Sequence, residues 1–262
     1  MEEIDLISTP YGKVKGKNYD LAVLPWGSTE PHNLHLPYLT DTLISHRISI
    51  TSLTWAMYPF QGERMSKPEL NFRGMVLPPV WLGSQNPGQR ELTFCIHARY
   101  ETQKAILSDV VESLHHQGIF KLVIINGHGG NFFKNMLRDL KVDYPDFTIA
   151  LVDWFAVVPQ TGFFEEKDDH AGEMETSLMM HFYPEFVNLN EAGEGASKPF
   201  AITSLQDKTA WIPRHWGKVS TDTGIGNPKK ASAEKGKRYA EAITEKIGQL
   251  LIDLATKDIY LP

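Results

Sequence analysis

Four apolar runs lie along the chain, each followed by turn-forming or helically patterned sequence. Asp20-Leu21-Ala22-Val23-Leu24-Pro25 and the runs at 73–80, 120–125 and 147–155 lack the polar alternation of a half-exposed strand. They read as strands buried on both faces. Pro78 and Pro79 stop the second. A helix begins near Thr40 or Asp41, either of which can serve as N-cap, and runs to about Ala56. The stretch 100–116 shows helical spacing, with Ile106, Val110, Val111 and Leu114 on one face and Gly118 as the C-cap. Helical spacing returns at 132–140. It returns again after Asp168 or Asp169, a candidate cap, with Leu178, Met179 and Phe182 as the apolar face. A long amphipathic helix over 229–257 carries Tyr239, Ile243, Ile247, Leu250, Leu251 and Leu254. Its lysines and glutamates form a solvated face. Residues 58–69 read as loop, and 188–227 as a long polar excursion over the surface. The repeated strand–helix–strand order predicts an α/β fold: a mainly parallel central sheet covered by helices on both faces. No linker interrupts it, so one domain is expected over 1–262.

Composition narrows the functional classes. A net charge of −6 and the lack of a basic stripe argue against a nucleic-acid binder. The single cysteine, Cys95, cannot form an intrachain disulfide, which fits a reducing compartment. It sits in Leu92-Thr93-Phe94-Cys95-Ile96 and reads as a packing residue. The start Met1-Glu2-Glu3-Ile4-Asp5 has neither the basic nor the apolar region of a secretory signal. No uncharged apolar run approaches ~20 residues. A cytoplasmic protein without a membrane span is expected.

The chemistry gathers where strands give way to helices. Asn126-Gly127-His128-Gly129-Gly130-Asn131 follows the third apolar run and precedes a helix, the position where ligands collect in open α/β sheets. On its own the hexapeptide allows a ligand histidine, a glycine turn, or an anion cradle at a helix N-terminus. After the first run comes a stretch dense in metal-capable groups, with Glu30 and His32 one residue apart and Asp41 at a helix start. Two side chains so spaced in an extended segment point to one side. Carboxylate, imidazole and carboxylate suit zinc, manganese or iron. With His128 and Glu175 there are five candidates, enough for two ions about 3.5–4 Å apart with Asp41 bridging. Singly, each has a plainer reading: Glu30 and Asp41 as caps, His32 and His35 as hydrogen-bonded loop residues, His170 as a surface residue. All three stretches fall at strand-to-helix junctions or helix starts, which an α/β fold brings to one rim, and so the plainer readings weaken together. His46, His97, His115, His116, His181 and His215 read as structural or exposed. The loop Gly83-Ser84-Gln85-Asn86-Pro87-Gly88-Gln89-Arg90 is a candidate substrate-facing segment. Trp26, Trp81 and Trp154 are candidates for pocket wall or core.

Three ordered motifs then carry a family resemblance. Gly27-Ser28-Thr29-Glu30-Pro31-His32-Asn33-Leu34-His35-Leu36-Pro37 with Thr40-Asp41, the Asn126–Asn131 hexapeptide, and His170-Ala171-Gly172-Glu173-Met174-Glu175-Thr176-Ser177 resemble the signatures of the creatininase family. The resemblance implies a parallel α/β fold and a two-metal hydrolase site. It implies that Glu30, Asp41 and His128 hold one ion, and that His32, Asp41 and a further glutamate hold the other. In creatininase that glutamate lies two residues after the motif histidine, where this chain has Gly130; members with the N-G-H-G-G-N form use the glutamate that is Glu175 here. Family members are commonly hexamers or other homo-oligomers, so a homo-oligomer, hexamer or trimer, is expected. The Gly129-Gly130 pair and the divergent 83–91 loop both point away from creatinine itself as substrate. The expected activity is metal-assisted hydrolysis of a non-peptide amide, cyclic or formyl. Two divalent ions, zinc first, would serve as cofactors, and His170 and Glu175 would be the catalytic side chains. A peptidase or a nucleotide-intermediate deformylase of the same family is the nearest rival. A non-catalytic small-molecule-binding protein and a phosphate binder are more distant ones.

Overall fold

An apolar run with no polar face must be covered on both sides. The first three runs achieve this within one helix-covered sheet, whereas the fourth, at the sheet edge, buries only Val152 and leaves its other residues half-buried. The computed structural model describes residues 3–58 and 72–260. Strands β1 (Leu21–Trp26), β2 (Gly74–Val76), β3 (Lys121–Asn126) and β4 (Thr148–Asp153) form one parallel sheet in the order β2-β1-β3-β4. Val23 stands opposite both Val76 and Val123, and Ile124 opposite Leu151. All six residues of β1 are buried. Because successive strand side chains alternate, each strand feeds two cores. Leu21, Val23, Val123 and Ile125 enter one, shared with Ile44, Leu178 and Ile243. These come from helices α2 (Thr40–Met57), α5 (Glu173–Phe182) and α8 (Ala233–Thr256). Ala22, Leu24, Trp26, Leu122 and Ile124 enter the other, with Leu107 and Met136. These belong to α3 (Tyr100–His116) and α4 (Lys134–Asp143). Each fully buried Leu, Val or Ile contributes about 1.5–3 kcal/mol. The one-turn helices α1 (Tyr11–Val14), α6 (Thr203–Gln206) and α7 (Trp216–Val219) lie outside this layered frame.

Several boundaries depart from the sequence pattern. The run at 73–80 pairs only as Gly74–Val76, because Pro78 and Pro79 have no N–H to give; Val80 rejoins by bonding the Pro25 carbonyl (3.0 Å). The fourth run stops at Asp153, and Trp154–Ala156 tightens into a 3-10 turn. Phe132 and Phe133 precede α4 rather than opening it; Phe133 instead packs edge-on against Trp26 at 5.0 Å. Neither Thr40 nor Asp41 caps α2, whose N-cap residue is Leu39. Thr40 bonds back to the Pro37 carbonyl, and the Asp41 carboxylate is engaged elsewhere. Asp168 does serve α5, accepting the N–H groups of Gly172 (3.2 Å) and Met174 (2.6 Å). Gly118, at φ +77°, ends α3: its N–H bonds the His115 carbonyl and that of Ile119 the Leu114 carbonyl. Of the loop expected at 58–69, all but Tyr58 lies outside the described residues.

The register decides where the chemistry falls. Trp26 pairs with Asn126 at the carboxyl ends of β1 and β3, so the segments after these strands lie next to each other. The start of α2 lies against both, since a Cβ on Gly27 would touch the Thr42 nitrogen at 2.4 Å and one on Gly127 the Asp41 carbonyl at 2.7 Å.

Candidate metal centre

Six side chains from three separate stretches meet at this rim, all buried: Glu30, His32, Asp41, His128, His170 and Glu175. His32 Nε2 lies 2.9 Å from Asp41 Oδ1. His128 Nδ1 lies 2.8 Å from Glu30 Oε1 and 3.1 Å from Asp41 Oδ2. His170 stacks on His32 with ring centroids 4.3 Å apart, and its Nδ1 is 3.9 Å from Glu30 Oε1. Glu175 Oε2 accepts the Ala171 N–H at 2.5 Å. Among the described residues, three sets place one donor atom each within 4.8 Å of one another: Glu30, Asp41 and His128; His32, Asp41 and Glu175; and Glu30, His32 and His170. Asp41 belongs to the first two.

Each histidine is oriented by a backbone carbonyl. His32 Nδ1 donates to the Glu30 carbonyl (3.0 Å), His128 Nε2 to that of Ser84 (2.8 Å) and His170 Nε2 to that of Pro31 (2.9 Å). A carbonyl only accepts, so each outer nitrogen carries a proton, and the inner nitrogen faces the carboxylates, where it can hold either a second proton or a cation. Lone pair facing carboxylate is repulsive unless a positive charge lies between them. Metal-ligating histidines are held in this way by their other ring nitrogen. The donor set therefore fits divalent transition cations.

The electrostatics point the same way. Burial alone would push His32 down, yet the Asp41 carboxylate, with Glu175 and Glu30, raises it to about 10. His128 is likewise raised well above the ordinary range by Glu30 and Asp41 against its burial. Burial lifts Glu175 to about 8, with Asp41 and Asp168 adding to the rise and His32 opposing it. His170 is lowered by burial and by the neighbouring His32. Three carboxylates out of water thus draw cationic charge into the cluster, and a metal ion would compete with the histidine protons for that place.

Two further residues hold the carboxylates. Ser28 Oγ donates to Asp41 Oδ2 (2.6 Å), and Gln89, buried in the loop after β2, bonds Glu30 Oε2 through its amide. Sequence reading placed the Gln89 loop near substrate but missed this bond; a buried amide in a polar loop carries no local signal of its partner. Gly130 is closed to any side chain: a Cβ there would meet the Ser84 carbonyl at 2.1 Å and His128 Nε2 at 2.5 Å. A glutamate at this position is sterically excluded, and Glu175 is the carboxylate beside His32 and Asp41.

The cluster opens on a cavity of about 380 Å³, lined in part by Glu30, Gln89, His128, Gly130, His170 and Trp216. Its outer wall comes from the polar excursion, which was expected to run over the surface. Trp211, Arg214 and Trp216 dip back to the site. A tryptophan–arginine group inside a polar stretch was the readable signal for this. Trp26 and Trp154 are fully buried core residues, and Trp81 is half exposed away from the cavity. A larger groove of about 830 Å³ lies at the other end of the sheet beside Lys121 and Tyr260, and contains none of the metal-capable sets. The remaining histidines stay apart: His46 pairs with Asp5, His115 with Asp146, and His97 Nδ1 accepts the Gln85 N–H. His35 is buried and bonds Thr176 Oγ1 at 2.8 Å. No helix of the described residues is long and apolar enough to cross a membrane.

A family model described as creatininase, creatinine amidohydrolase, matches residues 8–251. A solved Bacteroides fragilis protein provisionally designated a creatinine amidohydrolase is 56% identical, each chain covering 100% of the other, with a TM-score of 0.93. A mycofactocin precursor peptide peptidase of Mycobacterium ulcerans is 27% identical over 231 residues, 87% of this chain and 83% of its own. A mutant creatininase solved in a zinc–zinc form is 19% identical over 96% of this chain and 98% of its own, with a TM-score of 0.77, and shares the fold. With a family model spanning nearly all of the sequence, the chain belongs to the creatininase family of hydrolases.

Proposed function

We propose that this protein is a dinuclear metal-dependent amidohydrolase acting on a small non-peptide amide, cyclic or formyl. The observation that carries the reading is the pair of buried three-donor sets sharing Asp41, with every histidine turned inward by a carbonyl. Glu30, Asp41 and His128 would hold one ion, and His32, Asp41 and Glu175 the other, zinc first among the candidates. Bound divalent cations supply Lewis acidity, bringing water's ionisation near neutral pH and polarising a carbonyl. The chain's own residues then move the protons. His170 keeps its Nε2 proton on the Pro31 carbonyl, so Nδ1 is free to accept a proton as water oxygen attacks the amide carbon. The carbon–nitrogen bond breaks, and His170 returns that proton to the leaving nitrogen. The products are a carboxylate, or formate, and an amine. A cavity of about 380 Å³ suits a small substrate. The likeness to a peptide peptidase makes a short peptide the second reading.

Elemental analysis of protein purified without chelator or metal-affinity tag tests the site. About two divalent ions per chain are expected, lost together with activity in Asp41→Asn. Full metal content in that variant would remove the bridging role. A panel of cyclic amides, formamides and short peptides then separates the two substrate readings.

A further inference from the structure

The cavity beside the metal-capable cluster is lined by one cation whose hydrogen-bonding capacity is only partly used. Arg214 lines the cavity, and its Nη1 donates to Asp169 Oδ2 at 2.6 Å. Its guanidinium lies over the Trp216 ring, 5.2 Å from the centroid. Trp216 in turn meets His170 edge-on at 5.2 Å, and His170 faces Glu30. A chain of contacts thus links Arg214 to the cluster along the cavity wall. Both ends of the chain are pinned. The Trp216 N–H bonds the Pro87 carbonyl (2.7 Å), its indole N–H that of Thr223 (3.1 Å), and the Asp169 N–H that of Ile225 (3.0 Å). Nε and Nη2 of Arg214 bond none of the described residues. An ion pair as exposed as Arg214–Asp169 adds little to stability, so what it provides is a fixed orientation of the guanidinium. A planar guanidinium with two donors uncommitted matches a carboxylate. At the mouth, the exposed rings of Trp211 and Phe132 meet edge-on at 6.1 Å and flank the approach.

We propose that Arg214 is a specificity residue that binds a carboxylate on the substrate, so that this site selects amides bearing an anionic group. The inference rests on the amidohydrolase reading and narrows its substrate class. The anchored carboxylate takes no part in the bond exchange; it sets which amide reaches the cluster.

Tryptophan fluorescence reads the outcome directly, since Trp211 and Trp216 line the cavity. Wild type, Arg214→Gln and Arg214→Lys, each incubated with zinc and freed of excess, are titrated with N-formylglycine and with N-formylglycinamide, and metal content is measured on each. Wild type is expected to bind the carboxylate at least tenfold more tightly than the carboxamide. Arg214→Gln should lose that preference while holding the same metal. Arg214→Lys keeps the charge without the fork, and should weaken carboxylate binding while leaving carboxamide binding unchanged. If Arg214→Gln does not fold, this variant decides the matter. Equal affinities in wild type, no binding of either probe, or a preference surviving in the variants would overturn the proposal. A wild type that prefers the carboxylate but holds no metal would instead refute the amidohydrolase reading alone.

Discussion

At the scale of single residues, the site is governed by space and proton placement. Gly130 has no room for a methyl group, and the atoms it would strike are the Ser84 carbonyl and the His128 ring nitrogen bonded to it. Gly130→Ala should therefore turn His128 away from Glu30 and Asp41. A loss of about 10–100-fold in metal affinity is expected, the usual cost of disturbing a partner that orients a ligand. Competition with a fluorescent chelator measures it, and unchanged affinity would show that the ring adapts. His35 makes a second prediction. Burial lowers it to about 4 from an ordinary 6.5, so the fold holds it neutral. Between these values the unfolded chain binds the extra proton. Its contribution is thus complete above pH 6.5 and is lost as pH falls toward 4. The loss is roughly 3 kcal/mol at most, given about 1.36 kcal/mol per pKa unit. Denaturant titrations across pH 4–7 should show a slope about one proton shallower in His35→Gln than in wild type; identical slopes would place the acid sensitivity elsewhere.

At the scale of elements, boundaries follow where backbone groups find partners. The end of α3 is a clean case. Gly118 sits at φ +77° with nothing within 4 Å of an added Cβ, so Gly118→Ala tests backbone strain alone. A cost of about 1–2 kcal/mol is expected from forcing an alanine into the left-handed region. Chemical denaturation measures it, and a neutral result would mean the helix ends differently in solution. The start of α5 illustrates the opposite situation. Its N-cap residue is Gly172, yet the cap comes from Asp168, reaching across from four residues earlier. That tie fixes Ala171 and the first turn of α5, and with them His170 and Glu175. Sequence pattern offered Asp168 or Asp169 as a cap but not the distance over which it acts, since the intervening turn places Ala171 at φ +53°.

At the scale of the whole molecule, function is tied to stability. Three buried carboxylates at one rim are costly in the absence of a cation. Added zinc should therefore raise the melting temperature in a concentration-dependent way. The gain is about 2.7 kcal/mol at a hundredfold excess over the dissociation constant. Differential scanning fluorimetry before and after chelator tests this. A melting temperature indifferent to both would mean that the cluster binds no metal with useful affinity.

What the sequence determined by itself was the set of local choices. Unbroken apolar runs such as Val123-Ile124-Ile125 made buried strands, helical spacing made α3 and α8, and turn-forming residues marked the end of β1 and a glycine-rich turn that of β3. Those choices already put Glu30, His32, Asp41, His128, His170 and Glu175 at strand-to-helix junctions or helix starts, because side-chain period and turn chemistry are properties of neighbouring residues. Only the tertiary structure decided which groups touch. The Trp26–Asn126 register sets Glu30 beside His128 across almost a hundred residues of chain. The helix start freed Asp41 from capping to sit between two histidines. The return of a polar excursion brought Arg214 and Trp216 to the cavity wall. Contacts of this kind depend on packing between distant segments, and no periodicity within a segment records its partner.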